Sequence, residues 1–396
     1  MTRLWDKGAP LDERVLRYTA GEDHALDERL VRYDVRASIA HAEMLHAQDL
    51  LSGEELRQIR DGLGAIADEH ARGLWHVELA DEDGQTALER RLTERAGAAG
   101  ARIHLGRSRN DQVLAALRLY LRDAVGTLQE ATQRVIEALE RLAARERQTV
   151  LPGYTHMQQA MPSSVPLWAG GYAAELADDA LGLQGVRRRI EKNPLGSAAG
   201  YGTPGLPLDR GATTRALGFE QTHEPVTAVQ LSRGKAEAQL LFELALLIGD
   251  LGRLASDLLL FYTQEFAFIE LAEAFTTGSS IMPQKRNPDV LELVRARSAG
   301  ALAALTEALS LCAKLPSGYQ RDLQLLKAPL FRGIDLGEQT LDIVAAALDA
   351  VKFRPERIRL DPSVHAAEEA YALVVRDGIP FREAYGRVAA RLSRKD

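Results

Sequence analysis

Proline is absent from this chain between Pro10 and Pro152, and again from about residue 229 to 272. Proline breaks a helix interior because it lacks an N–H and its ring clashes with the preceding turn. Long proline-free runs rich in Ala, Leu, Glu and Arg therefore favour helix, and β-branched alternation is nearly missing. The stretch 111–148 carries Val113, Leu114, Leu117, Leu121 and Val125 at helical spacing. Pro152, Pro162 and Pro166 mark a loop region, followed by a helix to about Ile190. The segment 193–227, with Pro194, Pro204, Pro207 and Pro225, reads as loop-rich and close to a site. The stretch 229–272 predicts one helix about 60 Å long. Further helices are expected from Asn287 to about Lys314 and over 329–350. Helices of this length bury their faces against one another, often across subunits. The expected fold is all-α, a long central helix bundle at 103–352 between small helical domains at 1–102 and 353–396.

Composition narrows the function. At 396 residues, with 46% apolar and 27% charged residues, the chain suits a globular protein with a large core. A net charge of −7 and the lack of a basic tail argue against nucleic-acid binding. The lone Cys312 excludes an internal disulfide framework and a cysteine-based zinc site. Residues 1–7 lack the apolar core of a signal peptide, and the apolar run Leu240–Phe268 is interrupted by Glu243, Asp250, Arg253, Asp257 and Glu265. The expectation is a cytoplasmic protein that acts on a small molecule, without membrane or nucleic acid.

Four segments concentrate chemistry. Gly278-Ser279-Ser280-Ile281-Met282-Pro283-Gln284-Lys285-Arg286-Asn287-Pro288-Asp289 combines hydroxyls, cations and an amide before a helix, with Asn287 as N-cap and Pro288 in the first turn. Such a segment either only caps the helix or holds an anion on free backbone amides and Lys285. Gly106-Arg107-Ser108-Arg109-Asn110-Asp111-Gln112 also precedes a helix, and arginine forks there either face solvent or bind carboxylates. In Gly153-Tyr154-Thr155-His156-Met157-Gln158, His156 is either a structural hydrogen-bonder or a group that moves protons near neutral pH. By pattern alone, Tyr319-Gln320-Arg321-Asp322-Leu323-Gln324-Leu325-Leu326-Lys327 is an amphipathic helix start.

The first of these strings resembles the signature loop of the fumarase/aspartase superfamily, and its Pro-Gln-Lys-x-Asn-Pro-Asp form is similar to the argininosuccinate lyase branch. The 153–158 string is similar to the superfamily's second conserved region, the 106–112 and 319–327 strings are similar to motifs of the branch, and the likeness runs from Leu4-Trp5-Asp6-Lys7-Gly8 to Gly378-Ile379-Pro380-Phe381-Arg382-Glu383-Ala384. The resemblance implies an anti-elimination that splits a C–N bond of an N-substituted aspartate and releases fumarate, with no metal and no organic cofactor. It implies Ser279 as general base, aided by Lys285. It implies His156 with Thr155, held by Glu292, either orienting the substrate or serving the leaving group. Ser108, Arg109, Asn110, Gln158, Ser280, Asn287, Tyr319, Gln324 and Lys327 would bind substrate, and Asp27 would face its guanidino end. Each site would combine regions of three subunits in a homotetramer.

The chain departs from the branch at three places. Gln85 stands where many members have His, Leu105 replaces the usual Thr, and Asp23 occupies a position that is often Ser. These departures bear on substrate identity, so a lyase acting on another N-succinyl compound is the alternative. A catalytically silent structural member is a third possibility.

Overall fold

The computed structural model describes residues 12–393, which are mostly helical. The likeness at Leu4–Gly8, and Pro10, lie outside these residues. Among the described residues no helix is long and apolar enough to cross a membrane.

Two compact units are present. The first takes residues up to 129, Gly182–Ala245 and Gly300–Leu336; the second takes Glu130–Leu181, Leu246–Ala299 and residues from 337 onward. These limits cut through long helices and do not coincide with the boundaries expected at 102 and 352.

The helix Arg109–Arg145 has 37 residues and rises about 55 Å. Leu114, Leu117, Leu121, Val125 and Leu128 are buried along it, spaced three and four apart. The helices Val165–Ile190, Asp289–Cys312 and Lys327–Ala350 fall close to where periodicity places them. In the first unit, Val31, Leu45, Ile59, Leu63, Ile66, Leu88, Leu92 and Ile103 form one core. A capping box at Ser52 and Glu55 starts the helix Gly53–Ala71 within it. In the second unit, Trp168 meets Phe261 and Phe353 edge-on, and Trp168 and Tyr172 both donate to Asp257.

Three expectations are corrected. The stretch 229–272 is not one helix: Val226–Leu231 ends before Gly234, at φ +80°, and Lys235–Tyr262 follows. That conformation favours glycine, and a β-carbon at Gly234 would collide with the Cys312 side chain. The region after Pro152 is not a loop but an antiparallel hairpin, Val150–Thr155 against Gln158–Ser164. Asn287 is not the cap of the following helix. The helix begins at Asp289, the Pro288 carbonyl accepts from Leu291 and Glu292, and the Asn287 amide donates to Gly278 O at 3.3 Å.

Candidate active site

The first unit contains a cavity lined by Asp23, Arg109, Arg233, Tyr319, Gln324 and Lys327, with Gln85 and Asn110 beside them. Its floor follows from local chain geometry. Gly106 has φ +75°, and a β-carbon there would come within 2.8 Å of Leu208 Cδ1. This turn delivers Ser108 to the start of the long helix, where Ser108 Oγ accepts from Asn110 N at 3.3 Å. Asp111 returns the bond, its Oδ1 accepting from Ser108 N at 2.8 Å. Asp111 Oδ2 accepts from Gly196 N and Ala198 N at 3.0 and 2.8 Å. One fully buried carboxylate thus ties the 106–112 segment to the 194–200 segment, and burial pushes its pKa up to about 6.

Arg109 is half-buried and donates to Asp83 Oδ2 at 2.7 Å. Asp83 also caps the helix Gly84–Ala96, accepting from Thr86 N at 2.8 Å. One residue so starts a helix and aims a guanidinium. Sequence reasoning passed over it, although an Asp three residues before Thr86 is an N-cap signal. Gln85 is buried, with its amide 3.4 Å from Asp34. Gln112 holds the same carboxylate at 2.9 and 3.0 Å, and Arg107 reaches its neighbour Ser38 at 2.8 Å.

The opposite wall comes from 319–327, which forms a 3-10 turn, Arg321–Leu326, before the helix at Lys327. Gln324 donates to Thr19 O at 3.0 Å and Ala20 O at 3.3 Å. Lys327 Nζ lies 2.5 Å from Asp27 Oδ1 and 2.6 Å from Asp23 Oδ1. Asp27 is fully buried and also accepts from Gly84 N at 2.9 Å. It therefore does not face the cavity as expected; it positions Lys327, and Asp23 is the carboxylate that lines the cavity. Two buried carboxylates share one ammonium. Burial, partly offset by Lys327, raises Asp23 to about 7 and also raises Asp27. Burial works against the Lys327 charge, but the two carboxylates outweigh it and its pKa is raised. Burial thus favours the protonated carboxyls while the ammonium favours the ionised ones, and the two aspartates compete for one cation.

The second unit carries the remaining candidates. Thr155, His156 and Gln158 lie exposed at the hairpin tip. His156 and Met157 form the two-residue turn at φ +52° and +61°. Such left-handed turns normally use Asn-Gly, so a His-Met pair there is strained. In the signature segment, Thr277 and Asn287 pair backbone to backbone, N–H to O at 3.0 and 2.8 Å, closing a loop. Inside it, Ser279 Oγ accepts from Met282 N at 3.2 Å and Ile281 N at 3.4 Å. Ser279 is half-buried, whereas Ser280, Lys285 and Glu292 are exposed. Among the described residues no hydrogen bond or ion pair joins His156 to Glu292. The structure therefore gathers Asp23, Arg109, Asn110, Tyr319, Gln324 and Lys327 in one cavity of the first unit, and carries Thr155, His156, Gln158, Ser279, Ser280, Lys285, Asn287 and Glu292 on the second.

A lyase family profile matches residues 13–302. Over 393 residues the chain is 46% identical to the argininosuccinate lyase of Sorangium cellulosum, spanning 99% of this chain and 91% of that one. It is 44% identical over 389 residues to the argininosuccinate lyase of Xylella fastidiosa strain Temecula1, spanning 98% and 87%. Among solved structures, an EDDS lyase variant with bound fumarate superposes with a TM-score of 0.81 at 28% identity, covering 97% of this chain and 76% of that one. A fumarate lyase:delta crystallin from Brucella melitensis shares the fold, with a TM-score of 0.79 at 20% identity over 97% and 89% of the two chains.

Proposed function

The chain belongs to the argininosuccinate lyase family of the fumarase/aspartase superfamily, and from that premise we propose how its residues perform the reaction. The activity is a carbon–nitrogen lyase reaction, the anti-elimination of argininosuccinate to L-arginine and fumarate. Ser279, as an alkoxide, takes the Cβ proton of the succinyl half. The electron pair released forms the Cα–Cβ double bond, the C–N bond breaks, and the leaving nitrogen gains a proton. The observation that carries this assignment is the Ser279 hydroxyl, which already accepts two backbone N–H groups from its own loop. Donors fixed in this way stabilise an oxyanion and lower the cost of ionising a serine. Among the described residues no backbone N–H donates to the Ser280 hydroxyl, which favours the first serine of the pair.

The Cβ proton is only weakly acidic, so the developing aci-carboxylate needs cations and amides. Lys285, Asn287 and the N-terminus at Asp289 supply them from the same loop. Thr155 and Gln158 hold a carboxylate, and His156, braced by Glu292 across a subunit boundary of the assembly, orients the substrate or serves the leaving group. Ser108, Arg109, Asn110, Tyr319, Gln324 and Lys327 bind the substrate on the cavity side, with Asp27 acting through Lys327.

Each complete site combines elements of three chains in a homotetramer of D2 symmetry. Support comes from the exposed Ser279 loop and hairpin tip, and from leucines left exposed on helices, among them Leu181, Leu293, Leu302 and Leu309. We assign the protein to the cytoplasm. Gln85 and Asp23, both on the cavity, favour a second reading in which the leaving group is another amine. The decisive experiment is fumarate release, followed by ultraviolet absorbance, from purified protein given argininosuccinate, with arginine assayed in the same sample. Release of both products supports the first reading. Release only from other succinyl amines supports the second, and Gln85→His would then raise turnover of argininosuccinate.

A further inference from the structure

The hairpin that carries His156 does not hold its own shape. A two-stranded hairpin is marginal in water, and this one turns on His156 and Met157, both at positive φ without the Asn or Gly such a turn favours. Its tip has to be held from outside, and the holding falls on one cross-strand pair. Tyr154 and Gln159 lie opposite each other, one rung below Thr155 and Gln158. The Tyr154 ring stacks on Phe266 at 6.0 Å, and Phe266 stacks on Phe268 at 5.2 Å. The half-buried Gln159 turns both ends of its amide to the backbone of a distant segment. Its Nε2 donates to Arg359 O at 3.1 Å, and its Oε1 accepts from Asp361 N at 2.9 Å. Arg359 O can only accept and Asp361 N can only donate, so one orientation of the amide satisfies both. A β-bulge sits at the same place: Gly153 pairs with Met161 and Tyr154 with Gln159, which leaves Ala160 unopposed. Bulges re-aim the side chains beside them.

The segment that receives Gln159 is itself fixed. Asp361 Oδ1 accepts from Ser363 N at 2.8 Å and starts the turn Pro362–His365, on which the strand Gln158–Ser164 also packs. Upstream, Val351–Phe353 pairs antiparallel with Ile269–Leu271, and Arg354 N donates to Phe268 O at 2.8 Å. Ile269–Leu271 is the strand that precedes the serine loop closed by Thr277 and Asn287. Residues 351–361 therefore form a strap, fastened at one end beside the Ser279 loop and at the other to the His156 hairpin.

We propose that Gln159 is a positioning residue for the reaction: by docking the hairpin on this strap it sets His156 in its strained turn. The inference rests on the reading of His156 as a group that acts on the substrate. Neighbouring residues of a strand point to opposite faces. Gln158 is exposed and Gln159 half-buried, so one amide is left for the substrate and the other for the strap.

The test is a double-mutant cycle on fumarate release by the full-length protein. Gln159→Leu removes both bonds and keeps most of the bulk. It should lower kcat about 10- to 100-fold, the scale of displacing an active-site group by about 1 Å, and leave KM within about two-fold of wild type. His156→Asn removes the imidazole with a residue that suits positive φ. If Gln159 acts through His156, adding Gln159→Leu to His156→Asn should cost less than about two-fold, because the two losses share one path. Gln159→Glu keeps the bond from Asp361 N and loses the one to Arg359 O, so its kcat should fall between wild type and Gln159→Leu. An unchanged kcat in Gln159→Leu overturns the proposal, as does full additivity with His156→Asn. If Gln159→Leu fails to fold, an unchanged kcat in Gln159→Glu overturns it equally. If wild type releases no fumarate, the reaction reading fails by itself and hydrogen exchange decides this inference. Backbone amides of residues 150–164 should then exchange faster in Gln159→Leu than in wild type, and equal exchange overturns the proposal.

Discussion

Replacing Lys327 by Met tests the buried triad most directly. The side chain lies within 2.6 Å of two carboxylates, is 4% exposed, and is the ammonium they share. Methionine keeps roughly the volume and removes the charge. Breaking a buried ion pair from one side costs about 3–5 kcal/mol. The wild-type triad reaches neutrality with one proton on the two aspartates; without the ammonium, neutrality requires two. In the unfolded chain both aspartates ionise near pH 4. Above that pH the folded variant therefore holds one more proton than folded wild type, relative to the same unfolded reference. Because the native state binds the extra proton, stability falls as pH rises, by about 1.4 kcal/mol per unit. The penalty of Lys327→Met should then grow by about 3 kcal/mol between pH 5 and pH 7. Urea denaturation of both proteins at pH 5, 6 and 7, at one protein concentration, measures this. A penalty that does not change with pH, or none at pH 7, refutes the reading that Lys327 is what holds the two buried aspartates ionised.

Other consequences follow from the same geometry. Ser279→Ala should lower the rate of fumarate release by about 10³-fold while leaving the melting temperature near wild type, since the hydroxyl only receives bonds from its own loop. Gly106→Ala, at φ +75° and facing Leu208 Cδ1 at 2.8 Å, should cost about 1–3 kcal/mol in a thermal or urea melt and raise KM by shifting Arg109. Asp83→Asn keeps a helix cap but weakens the hold on Arg109, so it should raise KM with little change in stability, whereas Asp83→Ala should also lose about 1 kcal/mol. Asp23 has a folded pKa of about 7, above its unfolded value, so wild type loses stability from this group as pH rises from 4 to 7. Asp23→Asn lacks that slope, and melts at pH 5 and pH 7 should show a smaller pH dependence than wild type.

How much of this protein can be read from its sequence depends on whether the cause is local. Helix is set over a few residues by apolar spacing and by the absence of proline, so the Arg109–Arg145, Val165–Ile190, Asp289–Cys312 and Lys327–Ala350 helices were legible to within a few positions. The motif segments were legible as well, because each packs its chemistry into a dozen residues or fewer. The break at Ser232–Gly234 was not, since glycine only permits a left-handed backbone, and the packing of Gly234 against Cys312, far along the chain, requires it. The hairpin was hidden because its turn is His156-Met157 and its strands contain Pro152 and Pro162, the reverse of the usual signals.

The same division applies to the candidate site. Residue types and spacing by themselves determined a helical scaffold with a serine-bearing loop, a histidine-bearing loop and an arginine-rich helix start, and the resemblance of these motifs to a known family added the lyase reading. Only the tertiary structure decided what each charge does. Lys327 meets Asp27 across 300 positions of sequence, so the carboxylate expected to face the substrate lies fully buried against a lysine. Asp83 couples a helix cap to Arg109, and Arg233 lines the cavity with its Nε and Nη1 unpartnered among the described residues. Burial and pairing between distant segments fix the protonation and availability of a charged group, and neither is a property of the residues beside it in the chain.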